Sequence, residues 1–382
     1  MNKPKNPFRF GDPVAGDYFL PRPELENAVS QFLENRIHVV LNGPRRLGKT
    51  SFVLNLLEKF EEEKYTCFFV DIFNITSHRD FLQQVLRSLR QKKRWKSQLL
   101  EILRSIPQLR PKFSADVDAH TGQQSLGFSL DTTSEKDVKE LIQDVLSSLA
   151  KLSGKVIFVI DEFQKIAEID DQGWLEATLR THMQQLKNTS FLFTGSRKSI
   201  IYDMLNNASR PLYRSCQLIE FPTFGLEFDD WVLHRFESVG ISCEKVAITH
   251  LRDLVQNIPN YVQMVCFHLV ARNVEEITKE EVEKTLKKVA RQNSYTYQTL
   301  LNTLSKTQQR TLRLAATEKK QLFAKEFLAR YEIASTPALA SSLKSLKEKK
   351  ILDEEGASKG SVIFDDPLFA YWLSLQAFAS LV

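Results

Sequence analysis

Residues Gly43-Pro44-Arg45-Arg46-Leu47-Gly48-Lys49-Thr50 match the pattern Gly-x-x-x-x-Gly-Lys-Ser/Thr in full. The run before them, Ile37 to Leu41, is apolar and rich in β-branched residues, which predicts a short buried strand. After them, Phe52, Val53, Leu56, Leu57 and Phe60 recur at the spacing of one helix face. Strand, glycine loop and helix in this order admit few folds, because a strand with no polar face must lie inside a sheet covered on both sides. The residue types also carry a chemistry. Gly43 and Gly48 let the backbone curl so that its N–H groups converge, and the following helix presents its positive N-terminus. Lys49 is placed to reach β- and γ-phosphates, and the Thr50 hydroxyl to ligate Mg²⁺. The candidate nucleotide-binding residues are therefore Gly43, Pro44, Arg45, Arg46, Leu47, Gly48, Lys49, Thr50 and Ser51.

Further apolar runs follow at Cys67–Val70, Val156–Ile160 and Phe191–Phe193, and a last strand is expected at Gln217–Phe221, with helical patterns between them. This alternation predicts an α/β fold with a parallel sheet. Two of these runs end in chemistry-bearing residues at the edge where such sheets bind ligands. Val156–Ile160 runs into Asp161 and Glu162. Asp161 is the candidate magnesium carboxylate beside Thr50, and Glu162 the candidate general base that orients and deprotonates a water. Phe191–Phe193 runs into Thr194-Gly195-Ser196, where Ser196 or Thr194 is placed to hold that water; Ser196 joins Lys49 and Glu162 as a catalytic candidate.

The pattern changes near residue 225. Helices are expected at 228–240, 245–255, 261–273 and 279–291, the last opened by a capping box of Thr278 and Glu281. A second box, Ser305 and Gln308, precedes another helix. Thr336-Pro337 reads as an N-cap with proline at the first helical position, and Leu339, Leu343 and Leu346 supply a buried stripe. Ile351-Leu352 and Val362–Phe364, around a loop with Gly356 and Gly360, complete a winged-helix pattern. The expected domains are an ATPase core over 1–224 with a β-hairpin inserted near 113–130, a helical lid over 225–300, and a winged helix over 301–382.

A chain of 382 residues with 42% hydrophobic and 26% charged residues is long enough for two or three domains with real cores. The formal charge of +5 permits nucleic acid or an acidic partner without demanding one. The four cysteines form no Cys-x-x-Cys pair and read as buried reduced thiols, and the seven histidines show no zinc-ligand spacing. The segment Met1–Phe10 is polar and broken by prolines, unlike a signal peptide, and no apolar run approaches the roughly 18 residues of a membrane span. A cytoplasmic protein with no membrane partner is expected.

With these elements in order, the chain resembles the AAA-like ATPases of the STAND class found in archaea and bacteria. The resemblance rests on Phe8-Arg9-Phe10-Gly11-Asp12-Pro13-Val14 with Phe19 and Arg22, on Gly43 to Ser51, and on Asp161-Glu162-Phe163-Gln164. It extends through Thr194-Gly195-Ser196, Pro211-Leu212-Tyr213-Arg214 and Asp366 to Leu373, almost the whole chain. The domain plan is also similar to archaeal origin-recognition initiators. The resemblance implies a sheet order of 5-1-4-3-2 and an adenine pocket formed by the arm, around Val14 and Phe19, and by the lid. A Gly-x-Pro-Tyr motif in the family corresponds here to Asn257-Ile258-Pro259-Asn260-Tyr261. Asn257 replaces the glycine, and asparagine is the next-best residue for a left-handed turn. Pro259 and Tyr261 complete the adenine-binding set. Arg214 is a candidate sensor of nucleotide or of a neighbouring molecule.

The function expected is Mg²⁺-dependent hydrolysis of ATP to ADP and phosphate, with slow basal turnover, by a monomer or nucleotide-dependent oligomer acting as a conformational switch. The alternative is an ATP-gated DNA-binding regulator using the winged helix, whose helix after Thr336 offers Ser341, Ser342, Lys344, Ser345 and Lys347 to phosphates; a protein partner on the winged helix is the other expectation.

Overall fold

The computed structural model describes residues 6–90, 111–117, 124–128, 134–170, 172–318, 321–353 and 362–379. The chain divides into two compact units: a sheet unit of residues 21–44 and 49–222, and a helical unit of residues 1–20, 45–48 and 223–382.

In the sheet unit, the apolar runs form five strands: β1 (Val39–Asn42), β2 (Thr66–Asp71), β3 (Val156–Asp161), β4 (Thr189–Gly195) and β5 (Gln217–Glu220). All pairings are parallel, in the order β2-β3-β4-β1-β5. This is the expected 5-1-4-3-2 order, and the fold is α/β. Every residue of β1, β3 and β4 is buried, as central parallel strands covered on both faces require. The edge strand β5 is only partly covered. Asn42 pairs with Gly195 and Asp71 with Asp161, so the carboxyl ends lie level and the loops after them share one edge.

Helices cover this sheet. Lys49–Glu62 buries Phe52, Val53, Leu56, Leu57 and Phe60. His78–Arg90 and Glu135–Ser148 contribute Phe81, Leu82, Val85 and Leu86, and Leu141, Ile142 and Val145, to one core with β2, β3 and β4. Strands Pro111–Val117 and Gln124–Phe128 pair antiparallel in the region expected for the hairpin. The residues between these two strands, 118–123, lie outside the described residues.

In the helical unit, helices Glu227–Glu237, Lys245–Leu254, Pro259–Ala271, Lys279–Gln292 and Ser294–Asn302 share one apolar core with the C-terminal helices. The N-terminal arm, expected within a 1–224 core, packs here instead. Phe8 is buried against Trp231 and Phe236, and the Arg9 and Gly11 amides donate to Gln263 and Asn260 on the helix Pro259–Ala271. Aromatic burial overrides sequence proximity at this point.

The winged-helix pattern is present: helices Lys306–Glu318, Lys325–Arg330 and Thr336–Glu348, then an antiparallel bridge between Leu352 and Phe364. The loop with Gly356 and Gly360 lies outside the described residues. The box of Ser305 and Gln308 closes reciprocally, at 3.0 and 3.3 Å. One cap differs from expectation. The N-cap is Ser335 rather than Thr336, because the Ser335 hydroxyl accepts from the Ala338 amide at 3.4 Å and leaves proline in the first turn. The phosphate-contact set also shrinks. Ser342 is buried beside Leu343 and Leu346, and the Ser345 hydroxyl accepts from Gln308 at 2.9 Å. No helix among the described residues is long and apolar enough to cross a membrane.

Candidate nucleotide-binding site

The loop after β1 does what its glycines suggest, for two different reasons. Gly48 has φ +94°, a conformation costly for any other residue. Gly43 does not; its constraint is space, since a Cβ there would lie 2.9 Å from the Phe221 Cβ. The ends of β1 and β5 approach too closely for a side chain. Arg46 holds φ +63° without being glycine, a strained position of the kind that clusters at functional sites.

Lys49 and Thr50 open the following helix. Lys49 is buried, and its ammonium donates to the Gly43 and Pro44 carbonyls at 2.6 and 2.8 Å. These bonds hold a flexible side chain along the inner wall of the loop. The Thr50 hydroxyl donates to the Asp161 Oδ2 at 2.8 Å, joining the loop to the end of β3. Ser51 is buried one position on.

The carboxylates Asp161 and Glu162 have separate surroundings. Asp161 is buried and accepts from the Thr194 hydroxyl, from Thr50 and from the Glu162 amide at 3.1 Å. Burial raises its pKa, the Thr194 and Thr50 hydrogen bonds oppose that rise, and the charges of Glu162 and Asp71 add to it. Glu162, at φ +60°, turns its side chain elsewhere. Its Oε2 accepts from the Ser196 hydroxyl at 2.9 Å and from the Gln164 amide, which also reaches Ser196 at 3.2 Å. The end of β4 is thereby divided: Thr194 serves Asp161, and Ser196 serves Glu162. The donors around Thr50 and Asp161 are all oxygens, the set a hard cation such as Mg²⁺ takes.

Three residues here make contacts that the sequence motifs did not specify. Gln164 is buried and fixes Glu162 and Ser196, but only the turn after β3 folds it back onto its neighbours. Thr194 donates its hydroxyl to Asp161, a bond its position at the end of β4 did not by itself predict. Asn42, the last residue of β1, is fully buried, and its amide nitrogen and oxygen have no partner among the described residues. A polar residue closing an all-apolar strand was the available signal.

The remaining expected residues lie in the helical unit, apart from Arg22 and Arg214. Val14 and Phe19 are half-buried, and Pro259 and Tyr261 are buried at the start of their helix. Asn257 holds φ +55°, the left-handed turn expected of it, and its side chain donates to the Phe224 carbonyl at 2.9 Å. Arg46 groups with this unit, donating to the Tyr261 hydroxyl and to the Asp365 carbonyl at 2.6 Å, with the Asp365 carboxylate 3.7 Å away. Arg45 is half-buried in the same turn, and Leu47 beside it is buried. Arg22 instead stacks on Phe221 and donates to the Pro222 carbonyl at 2.7 Å in the sheet unit. Arg214 is exposed, with its guanidinium over the Tyr213 ring.

Residues 24–233 match an ATPase domain predominantly from Archaea. The chain belongs to this archaeal ATPase family. Residues 295–375 of this archaeal-type ATPase also match a probable winged helix domain. Two uncharacterized ATP-binding proteins of Methanocaldococcus jannaschii are similar to it. MJ1659 is 24% identical over 153 residues, 38% of this chain and 42% of that protein. MJ0439 is 22% identical over 169 residues, 42% and 45% respectively. The chain thus matches less than half the length of these curated relatives. Among solved structures, the Walker-type ATPase PABY2304 of Pyrococcus abyssi aligns with a TM-score of 0.61 at 17% identity, covering 94% of this chain and 96% of that one. The Aeropyrum pernix ORC2 protein, in ADPNP–ADP complexes, aligns at 0.54 and 14% identity over 94% of both chains. The Aeropyrum pernix ORC1 protein in complex with DNA aligns at 0.50 and 15% over 96% of both. These likenesses concern the fold.

Proposed function

We propose that this archaeal-type ATPase binds ATP with Mg²⁺ and hydrolyses it slowly to ADP and phosphate, as a nucleotide-dependent conformational switch of the AAA-like STAND class. The observation that carries the proposal is the split between the two carboxylates. Asp161 is tied to Thr50 and Thr194, and Glu162 to Ser196 and Gln164. The first group suits a cation, the second a water. Bound there, Mg²⁺ supplies positive charge against the triphosphate oxygens. Thr50 and Asp161 are its ligands, and Thr194 fixes the orientation of the Asp161 carboxylate. The loop amides and Lys49 hold the β- and γ-phosphates. Glu162 accepts the proton of the attacking water, while Ser196 and Gln164 keep its carboxylate in one rotamer. Val14, Phe19, Pro259 and Tyr261 are assigned to the adenine side. No arginine is assigned within the chain to the transferred phosphate; an arginine supplied in trans is worth about 10³–10⁵ in rate, which is why slow basal turnover is expected.

Phosphate release tests this when ATP affinity is measured separately. Glu162→Gln should bind ATP as the wild type does while releasing phosphate at least about 100-fold more slowly, as expected for loss of a general base. Equal release from both proteins would overturn the hydrolytic assignment, and unimpaired ATP binding by Lys49→Ala would overturn the binding site itself. A contribution of the winged helix to DNA binding is a weaker second reading, resting on the winged-helix match and on Lys344 exposed on the helix Thr336–Glu348.

A further inference from the structure

Away from the phosphate loop, the helix Lys279–Gln292 carries a stripe of positive charge. Lys284, Lys287, Lys288 and Arg291 stand at the i, i+3, i+4, i+7 spacing of one helix face, all exposed. The opposite face buries Val282, Leu286, Val289 and Ala290. Arg272, after the preceding helix, closes the other wall of a groove of about 590 Å³ lined by these five cations and Gln292. Glu281 is the carboxylate that meets them, 2.9 Å from Arg272 and 3.1 Å from Lys284. Lys287, Lys288 and Arg291 have no ion-pair or hydrogen-bond partner among the described residues. The Lys288 charge also reaches His268, whose pKa is lowered first by burial and then by that lysine.

A solvated face on a stable helix normally alternates its charges. Here three unpaired cations adjoin two more in a concave surface, an arrangement whose mutual repulsion a bound polyanion relieves. We propose that this groove seats the phosphate backbone of duplex DNA, independently of sequence. The stripe runs about 10 Å along the helix at 1.5 Å per residue, and a duplex presents a charge about every 1.7 Å of axis. Several phosphates therefore lie within reach. The lining contains no aromatic side chain, so it offers no platform for the unstacked bases of a single strand. Nor does it contain an apolar residue of the kind that inserts into a lipid interface or anchors a protein partner.

Fluorescence anisotropy of the full chain with a labelled random-sequence 24-base-pair duplex, titrated between 50 and 200 mM salt, tests this. The wild type should bind with a steep negative salt slope. The triple variants Lys287→Gln/Lys288→Gln/Arg291→Gln and Lys287→Glu/Lys288→Glu/Arg291→Glu should bind at least 10-fold more weakly at 50 mM. The slope of the neutral variant should be shallower by about 3, since each phosphate that is no longer neutralised removes about 0.9. ATP affinity and thermal midpoint, unchanged in the neutral variant, would show that the fold is intact. Three results overturn the proposal: unaltered affinity and slope in both variants, no wild-type binding at 50 mM salt, or charge-sensitive binding to phosphatidylserine vesicles or polyglutamate in place of the duplex.

Discussion

Thr194 decides how Asp161 can work. Its buried hydroxyl donates to the carboxylate from the neighbouring strand, so the side chain proposed to hold Mg²⁺ is oriented by a residue outside the proposed ligand set. Valine has nearly the same shape and no donor. Thr194→Val should therefore raise the Mg²⁺ concentration needed for half-maximal ATP binding about 10–100-fold, the usual effect of losing such a supporting bond, measured by titration at fixed ATP. A second buried carboxylate has a different consequence. Glu176 is fully buried and bonded to Arg210. Burial pushes its pKa from 4.5 up to about 7, Arg210 pulls it down, and Asp170 and Asp203 push it up. An acid whose pKa is raised by folding binds its proton more tightly in the native state. That stability is present below the unfolded pKa and is lost as pH rises to about 7. The thermal midpoint should accordingly fall between pH 5 and pH 8. Glu176→Gln, which carries no charge at either pH, should flatten the fall, as calorimetry at the two pH values would show.

Helix starts are the features most open to single substitutions at the scale of elements. Ser335 supplies its side-chain oxygen to the amide of Ala338, and Pro337 removes a donor that would otherwise need a partner. Ser335→Ala should destabilise the winged-helix segment by about 1 kcal/mol, read as a shift of the denaturant midpoint at constant slope. The hydroxyl acceptor is specific to this position. Thr336→Ala should cost less than Ser335→Ala, because Thr336 already lies in the helix. Sequence patterning placed this helix and its buried leucines correctly but put the cap one residue late, since both Ser335 and Thr336 are good caps and only the backbone φ and ψ separate them. Asn257 was legible in the same way. Its left-handed turn was implied by the family motif, which asparagine can satisfy in place of glycine, while its bonds to Phe224 and Arg252 needed tertiary contacts.

For the molecule as a whole, two compact units mean that a single unfolding transition is not assured. In the proposed function, nucleotide binds the unit that holds Lys49, Thr50 and Asp161. At ATP·Mg²⁺ near 100 times its dissociation constant, mass action stabilises that unit by about 2.7 kcal/mol. The expected result is an upward shift of a calorimetric transition in the wild type and none in Lys49→Ala. Persistence of the full shift in Lys49→Ala would place the nucleotide elsewhere.

Sequence alone determined the parallel sheet, the phosphate loop and the two carboxylates, because each rests on local physics. Strands buried on both faces must be apolar throughout, a tight loop needs Gly48, and the residues that end a strand project at its edge. Tertiary structure decided what local chemistry leaves degenerate. It set which of Thr194 and Ser196 serves which carboxylate, brought Gln164 back to Glu162, and left Asn42 buried without a partner among the described residues. It also carried the arm onto the helical unit and gave Gly43 its steric reason in Phe221. Each depends on a neighbour distant along the chain, and no periodicity or spacing records such a neighbour.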